Sequence, residues 1–253
     1  MSRLGSITAF TAEAALWVAG AALIAGAAGM HWSVDLPAVD LFPAASATPP
    51  PSPAATTQPV VRLKAFLAKP TLQFSATIDQ TVTISGPGIQ IQEKTIGTAS
   101  YRSGDASSSL TTSILGVTRT EDQVMLGKTT YLRENGGKWT KRNRVPADTA
   151  GTPEMLAPTH AFSESGIETR NGVQLHRIEA ADTTAFGLAL QAGGTGTRYK
   201  LTLVFWVADD GTPAAIEVAG TYQDTVNEAP VAVTFDQQWT ITATAGVTIT
   251  API

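Results

Sequence analysis

The chain has 253 residues, 43% of them hydrophobic and only 15% charged, with 17 Lys and Arg against 21 Asp and Glu for a formal net charge of −4. An acidic balance excludes the basic footprint with which a nucleic-acid binder displaces counterions. These residues include no cysteine, which excludes disulfides, thiolate metal sites and a lipid attached through sulfur, while 22 Gly and 15 Pro point to a turn-rich β domain with a Pro-rich segment.

Residues 1–32 read as an N-terminal membrane anchor. Between 10 and 30 the only charged residue is Glu13, and about 21 residues rising about 1.5 Å each span about 30 Å, the thickness of a bilayer core. Arg3 lies before the segment and Asp35 and Asp40 after it, which predicts a single pass with the N-terminus inside and the C-terminal domain extracytoplasmic. The alternative is a cleaved signal peptide, for which AGAAG supplies small residues. Residues 33–59 form a linker. Its PAASATPPPSPAATTQP has no large apolar residue with which to build a core, and extended at about 3.1 Å per residue it reaches up to about 50 Å.

Residues 60–253 form the folded domain. VVRLKAFLAK (60–69) is predicted as a short helix with Val60, Leu63 and Leu67 on one face and Pro70 as its stop. The period then changes. In TLQFSATIDQTVTIS (71–85) every odd position is polar, and the even positions are apolar but for Gln80. That is a long strand with one wet face. Gly86-Pro87-Gly88 turns it. LGKTTYLRENGGKWT (126–140) reads as two hairpins back to back.

KWTKRNR gathers Lys138, Lys141, Arg142 and Arg144 around Trp139. The five suit a head-group or membrane contact. They equally suit a charged strand edge that resists aggregation. Thr152-Pro153 opens a second short helix, and DTTAFGLALQA (182–192) before Gly193-Gly194 a third. The two flank a hairpin. Strands alternate again from Tyr199 to Val207 and, past the turn ADDG (208–211), through Ile216 and Val218 and from Val231 to Ile241.

The chemistry-bearing residues are few. His31, His160 and His176 lack metal-ligand spacing, and the nucleophile-elbow, P-loop and dinucleotide motifs are missing. Asp209-Asp210 sits in a hairpin turn, where such a pair is ordinarily turn chemistry. No enzyme, metal site or cofactor is expected.

VMLGKTTYLRENGGKWT resembles the central hairpin of the mycobacterial LppX/LprA/LprF/LprG lipoproteins, with Gly127, Tyr131, Gly136-Gly137 and Trp139 in the family's order. SGIETRNGVQLHRIEA, with Gly166 and Asn171-Gly172, and the ending WTITATAGVTITAP are similar to its later segments. The likeness covers roughly residues 71–252. It implies a mainly β fold, a curved antiparallel half-barrel sheet wrapped around short helices, as in the LolA and LolB carriers. It also implies a cavity for acyl chains and a role in carrying lipids or glycolipids outside the cytoplasmic membrane. The family is anchored through a lipidated cysteine, which this chain lacks; residues 10–30 would replace that anchor.

The expected lining is Phe74, Ile78, Val82, Val124, Leu126, Leu201, Leu203 and Phe205 from strands and Met155, Leu156, Phe186 and Leu190 from helices. A filled core with protein partners, a surface interaction or sensor domain of the same fold, is the alternative that this composition also permits.

Overall fold

A computed structural model describes residues 57–144, 155–180, 200–226 and 229–252. The first helix forms as expected. α1 (Gln58–Leu67) starts after Thr57, carries a proline in its first turn and buries Val60, Leu63, Phe66 and Leu67. Its last carbonyls are met by the Ala68 and Lys69 amides before Pro70 ends the run.

Among the described residues eleven strands follow: β1 (Gln73–Gly86), β2 (Ile89–Arg102), β3 (Asp105–Ile114), β4 (Val117–Leu126), β5 (Thr129–Glu134), β6 (Thr140–Asn143), β7 (Phe162–Arg170), β8 (Val173–Ala180), β9 (Lys200–Val207), β10 (Pro213–Val226) and β11 (Ala229–Ala243). They form one open sheet in the order β6-β5-β4-β3-β2-β1-β11-β10-β9-β8-β7, antiparallel throughout. The first six strands run outward from β1 to one edge. The last five return from the opposite edge and close against β1.

Turn chemistry explains this meander. Ser103-Gly104, Leu115-Gly116, Asn135-Gly136 and Asn171-Gly172 each have positive φ at both residues. At the β2–β3, β3–β4 and β7–β8 connections this pair is the whole two-residue hairpin loop, whose twist matches the strands it joins, while Asn135-Gly136 opens the longer β5–β6 connection over residues 135–139.

β1 keeps the alternation read from its sequence. Phe74, Ala76, Ile78, Gln80, Val82 and Ile84 are buried, and the residues between them are not. Following cross-strand partners from these residues defines an inner face over the whole sheet. α1 covers part of it, seating Phe66 and Leu67 against Phe74, Ile216 and Ile241 around a void of about 10 Å³. Its Arg62 donates to the Asp209 carbonyl, and Gly211 lies so near that a Cβ there would fall 2.4 Å from that of Arg62.

The outer face is polar along β1–β3. At its other end it carries a second apolar cluster, Leu175, Val204, Trp206 and Ala215. Arg170 stacks 3.4 Å from the Trp206 ring centroid and pairs with Glu217 at 2.6 Å. Nothing in the alternation of β9 singled out this cluster.

Among the described residues no helix is long and apolar enough to cross a membrane. The anchor and nearly all of the linker lie outside them, as does the helix expected over 182–192. Of the helix expected after Pro153, Met155 is helical and Leu156 lies in the turn that follows.

Candidate functional site

The inner face is the largest buried surface the sheet offers, and it has two unlike regions. β1 and β8–β11 present Phe74, Ile78, Val82, Ile178, Leu203, Phe205, Val218, Phe235 and Trp239, all in one apolar cluster that Met155 and Leu156 join. Leu201 is partly buried against it. Of the expected lining, Phe74, Ile78, Val82, Met155, Leu156, Leu201, Leu203 and Phe205 thus come together. Phe186 and Leu190 lie outside the described residues.

Val124 and Leu126 do not join them, which corrects the expected lining. On β4 the buried residues are Gln123 and Met125, and Val124 pairs with Ser107 on the outer face. The side-chain period of a strand is two, so an assignment one residue off reverses every face. Apolarity favoured Val124 and Leu126; register decides for their neighbours.

Beyond β1 the inner face mixes polar residues with Ala99, Leu110, Ile114 and Met125. Glu93, Thr95, Ser108, Gln123 and Thr130 are buried there, along with Gln80 and Gln237 on the two central strands. Direct partners align Gln237 with Gln80, Gln80 with Thr95, Thr95 with Thr112 and Thr112 with Arg119, a polar row across five strands. Gln237 donates its amide to the Gln80 side-chain oxygen at 2.8 Å, and the Thr95 and Thr112 hydroxyls share a bond of 2.9 Å. Arg119 ends the row paired with Glu134.

Glu93 sits beside this row, opposite Val82 on β1 and Ile114 on β3, and only 2% exposed. Burial raises its pKa from 4.5 to about 7, tempered by the Thr95 hydroxyl. Neither Glu93 oxygen has a partner within full hydrogen-bond geometry, that hydroxyl included. Sequence reasoning passed over Glu93. Its signal was a lone carboxylate in phase with Ile91 and Ala99, legible only once the register of β2 is known.

The basic cluster does not form one patch. β6 is an edge strand. Lys141 pairs with Tyr131 on the outer face and Arg142 with Thr130 on the inner. Arg144 binds the Gly127 and Gly104 carbonyls at 3.2 and 2.9 Å, tying two hairpin turns together. Trp139 lies under Arg133, 4.8 Å from its ring centroid, and Lys138 is exposed.

His176 is a clamp. Its Nδ1 lies 2.6 Å from Glu164 on β7 and its Nε2 2.8 Å from Asp209 in the β9–β10 turn. Burial alone would lower its pKa, but the hydrogen bonds and charges of the two carboxylates together raise it. Glu164 is held low first by the Thr57 hydroxyl and then, against burial, by His176. Among the described residues no three His, Asp or Glu are grouped to hold a metal.

No family model and no curated protein matches the chain. Among solved structures it is similar to LprF from Mycobacterium bovis, at 14% identity and a TM-score of 0.41 over 79% of this chain and 99% of that one. It is also similar to the Mycobacterium tuberculosis lipoprotein LppX, at 11% identity and a TM-score of 0.42 over 76% of this chain and 97% of that one. A LolA superfamily protein from Nitrosomonas europaea matches at 10% identity and a TM-score of 0.20 over 73% and 92% of the two chains.

Proposed function

We propose that this domain binds a lipid or glycolipid on the inner face of its sheet and carries it outside the cytoplasmic membrane, without catalysis, tethered by residues 10–30. The observation that carries this reading is the inner face itself. Eight of the twelve expected lining residues meet in or against one apolar cluster, on a sheet whose outer face is polar over β1–β3. Acyl chains need an apolar surface of this extent with few polar groups to fix their orientation. The resemblance to lipid-carrying lipoproteins supports the same reading.

A second reading has its own observation. The void between α1 and the sheet, about 10 Å³, has room for about one water molecule, as in a filled core with protein partners. The experiment is to purify the protein without lipid-like detergents, extract it, and weigh what is released. It is then offered labelled lipid in vesicles. Bound or transferred lipid at a stoichiometry near one is expected. A protein that releases none and takes up none is the filled-core interaction domain.

A further inference from the structure

We propose that His176 is a pH-sensitive latch on α1: protonated, it fastens the first turns of the helix to the sheet, and on losing its proton it lets them lift. The ring lies between two carboxylates, with Nδ1 2.6 Å from Glu164 and Nε2 2.8 Å from Asp209. An ionised carboxylate only accepts, so both ring nitrogens must donate, and only the imidazolium carries two N–H groups. Neutral imidazole keeps one. Its other nitrogen then turns a lone pair on a carboxylate oxygen, and one arm of the clamp has to open.

Exposure decides which arm. The His176 and Glu164 side chains are 13% and 15% exposed and that of Asp209 is 90%. Asp209 can exchange the ring for water at little cost, and Glu164 cannot. Asp209 lies in the β9–β10 turn, and α1 is fixed to that turn. Arg62 donates to the Asp209 carbonyl, and its Cβ lies against Gly211. The second arm also reaches the helix, because the Thr57 hydroxyl, just before α1, stands beside Glu164. The far end of α1 is held differently. Phe66 and Leu67 seat on Phe74, Ile216 and Ile241, and no proton changes that contact. The latch therefore acts on the end of α1 at which the chain enters the domain.

The other charges near the ring are already engaged or face away. In the turn, Asp210 takes the Thr212 amide at 2.8 Å and is held low by it and by Arg62. On α1, Lys64 lies 5.8 Å from the Phe162 ring centroid. Glu168, Arg170, Arg177 and Glu179 alternate to the outer face of β7 and β8. Ile167 and Val207, the direct partners of His176, carry no charge. The two carboxylates raise the His176 pKa above 6.5 in spite of burial. The latch is thus complete below that ordinary value and is lost as pH rises through the folded one.

The chain has no cysteine, so two introduced thiols carry spin labels without interference. Ile96→Cys, on an exposed position of β2, is the fixed point. It is paired with Val61→Cys, exposed in the first half of α1, or with Ala68→Cys just past its end. Distances are read by pulsed electron resonance on the full chain in phosphatidylcholine nanodiscs, at about pH 5.5 and about pH 9, either side of the range in which histidine titrates. At the lower pH both pairs should give one narrow distance. At the higher, the Val61 pair should gain a population displaced by about 5 Å, one turn of helix, while the Ala68 pair stays. His176→Gln should show both populations at either pH. Asp209→Asn, a change at an exposed side chain that keeps the test open should His176→Gln fail to fold, should show the narrow distance at either pH, because an amide can donate to the neutral ring. A Val61 distance that ignores pH in wild type, an Ala68 distance that moves with it, or a wild-type pH response surviving in either variant would each overturn the latch, whatever the inner face binds.

Discussion

The two regions of the inner face differ in what holds them. From β1 through β11 to β8, every buried side chain but Gln80 and Gln237 adds apolar area removed from water, about 25 cal/mol per Å². Across β2 to β5, Glu93, Thr95, Ser108, Gln123 and Thr130 stand among Ala99, Leu110, Ile114 and Met125, and burial of the polar five carries a desolvation cost that only hydrogen bonds offset. The first region is built to be stable. The second gives up stability at Glu93 and Gln123, where oxygens and nitrogens stay unpaired. That contrast teaches where function is to be sought, because a fold has no use of its own for an unsatisfied buried carboxyl group.

The largest effect that tests the contrast belongs to the apolar region. Ile78 is 3% exposed and flanked on its face by Trp239 and Gly97, while Thr77 faces outward and is exposed. Ile78→Asp should cost about 4 kcal/mol or more, through cavity and buried charge together. Thr77→Asp should cost less than about 1 kcal/mol. Denaturant melts of the two decide, and equal losses would dissolve the distinction between the faces.

Next comes Glu93, with the opposite sign. Its folded pKa of about 7 lies above the ordinary 4.5, so the folded protein holds a proton that the unfolded chain releases. The contribution is fully present below about pH 4.5 and is lost as pH rises towards 7 and beyond. The upper bound is about 3.5 kcal/mol at about 1.4 kcal/mol per unit. Glu93→Gln should flatten the fall in stability between about pH 5 and 8 and raise the melting temperature most at the alkaline end. A pH profile identical to wild type would show that the carboxyl group is solvated after all.

His176 gives a smaller effect in a related window. With His176 raised and Glu164 lowered, both are charged between the ordinary carboxylate and imidazole values. Stability from His176 is complete below about 6.5 and disappears as pH rises through its folded pKa. That from Glu164 disappears as pH falls through its own. His176→Gln should cost on the order of 1–2 kcal/mol near pH 5.5 and much less at pH 9. A loss independent of pH would assign the residue to packing alone.

What the sequence disclosed follows the same division. The long alternating strand, the α1 stripe of Val60, Leu63 and Leu67, and the hairpin at Asn171-Gly172 were legible because apolar residues and turn glycines mark them. The inner face of β4 was not. In EDQVML the apolar letters are Val124, Met125 and Leu126, three in a row, and alternation cannot choose between phases. Only pairing with β3 places Gln123 and Met125 inside. Glu93 was invisible for the same reason: among Gln92, Lys94 and Thr95 a glutamate reads as one more wet residue. KWTKRNR formed a cluster in sequence and not in space, because adjacent strand residues point to opposite faces.

The smallest expected effect is a gain, and it lies at the outer tip of the polar region. β3 and β4 are joined by Leu115-Gly116, with φ of 48° and 80°. The glycine accepts that conformation without strain. Leucine does not, since a left-handed backbone brings its Cβ close to the following carbonyl oxygen, at about 1–2 kcal/mol. The side chain recovers little in return, because Leu115 is 60% exposed. At the equivalent position of the β5–β6 and β7–β8 turns the chain carries Asn135 and Asn171, a residue type that tolerates this geometry. Leu115→Asn should therefore stabilise the protein by about 0.5–1 kcal/mol, read as a higher urea midpoint at unchanged slope. The same change at Ser103, whose φ is 50° and whose hydroxyl donates to the Pro70 carbonyl at 3.1 Å, should gain less, because the hydrogen bond is lost with the strain. If Leu115→Asn instead destabilises the protein, the exposed leucine is held by a contact worth more than its backbone cost, and the tip of the β3–β4 hairpin, with Val117 also 60% exposed beside it, becomes a surface that something covers.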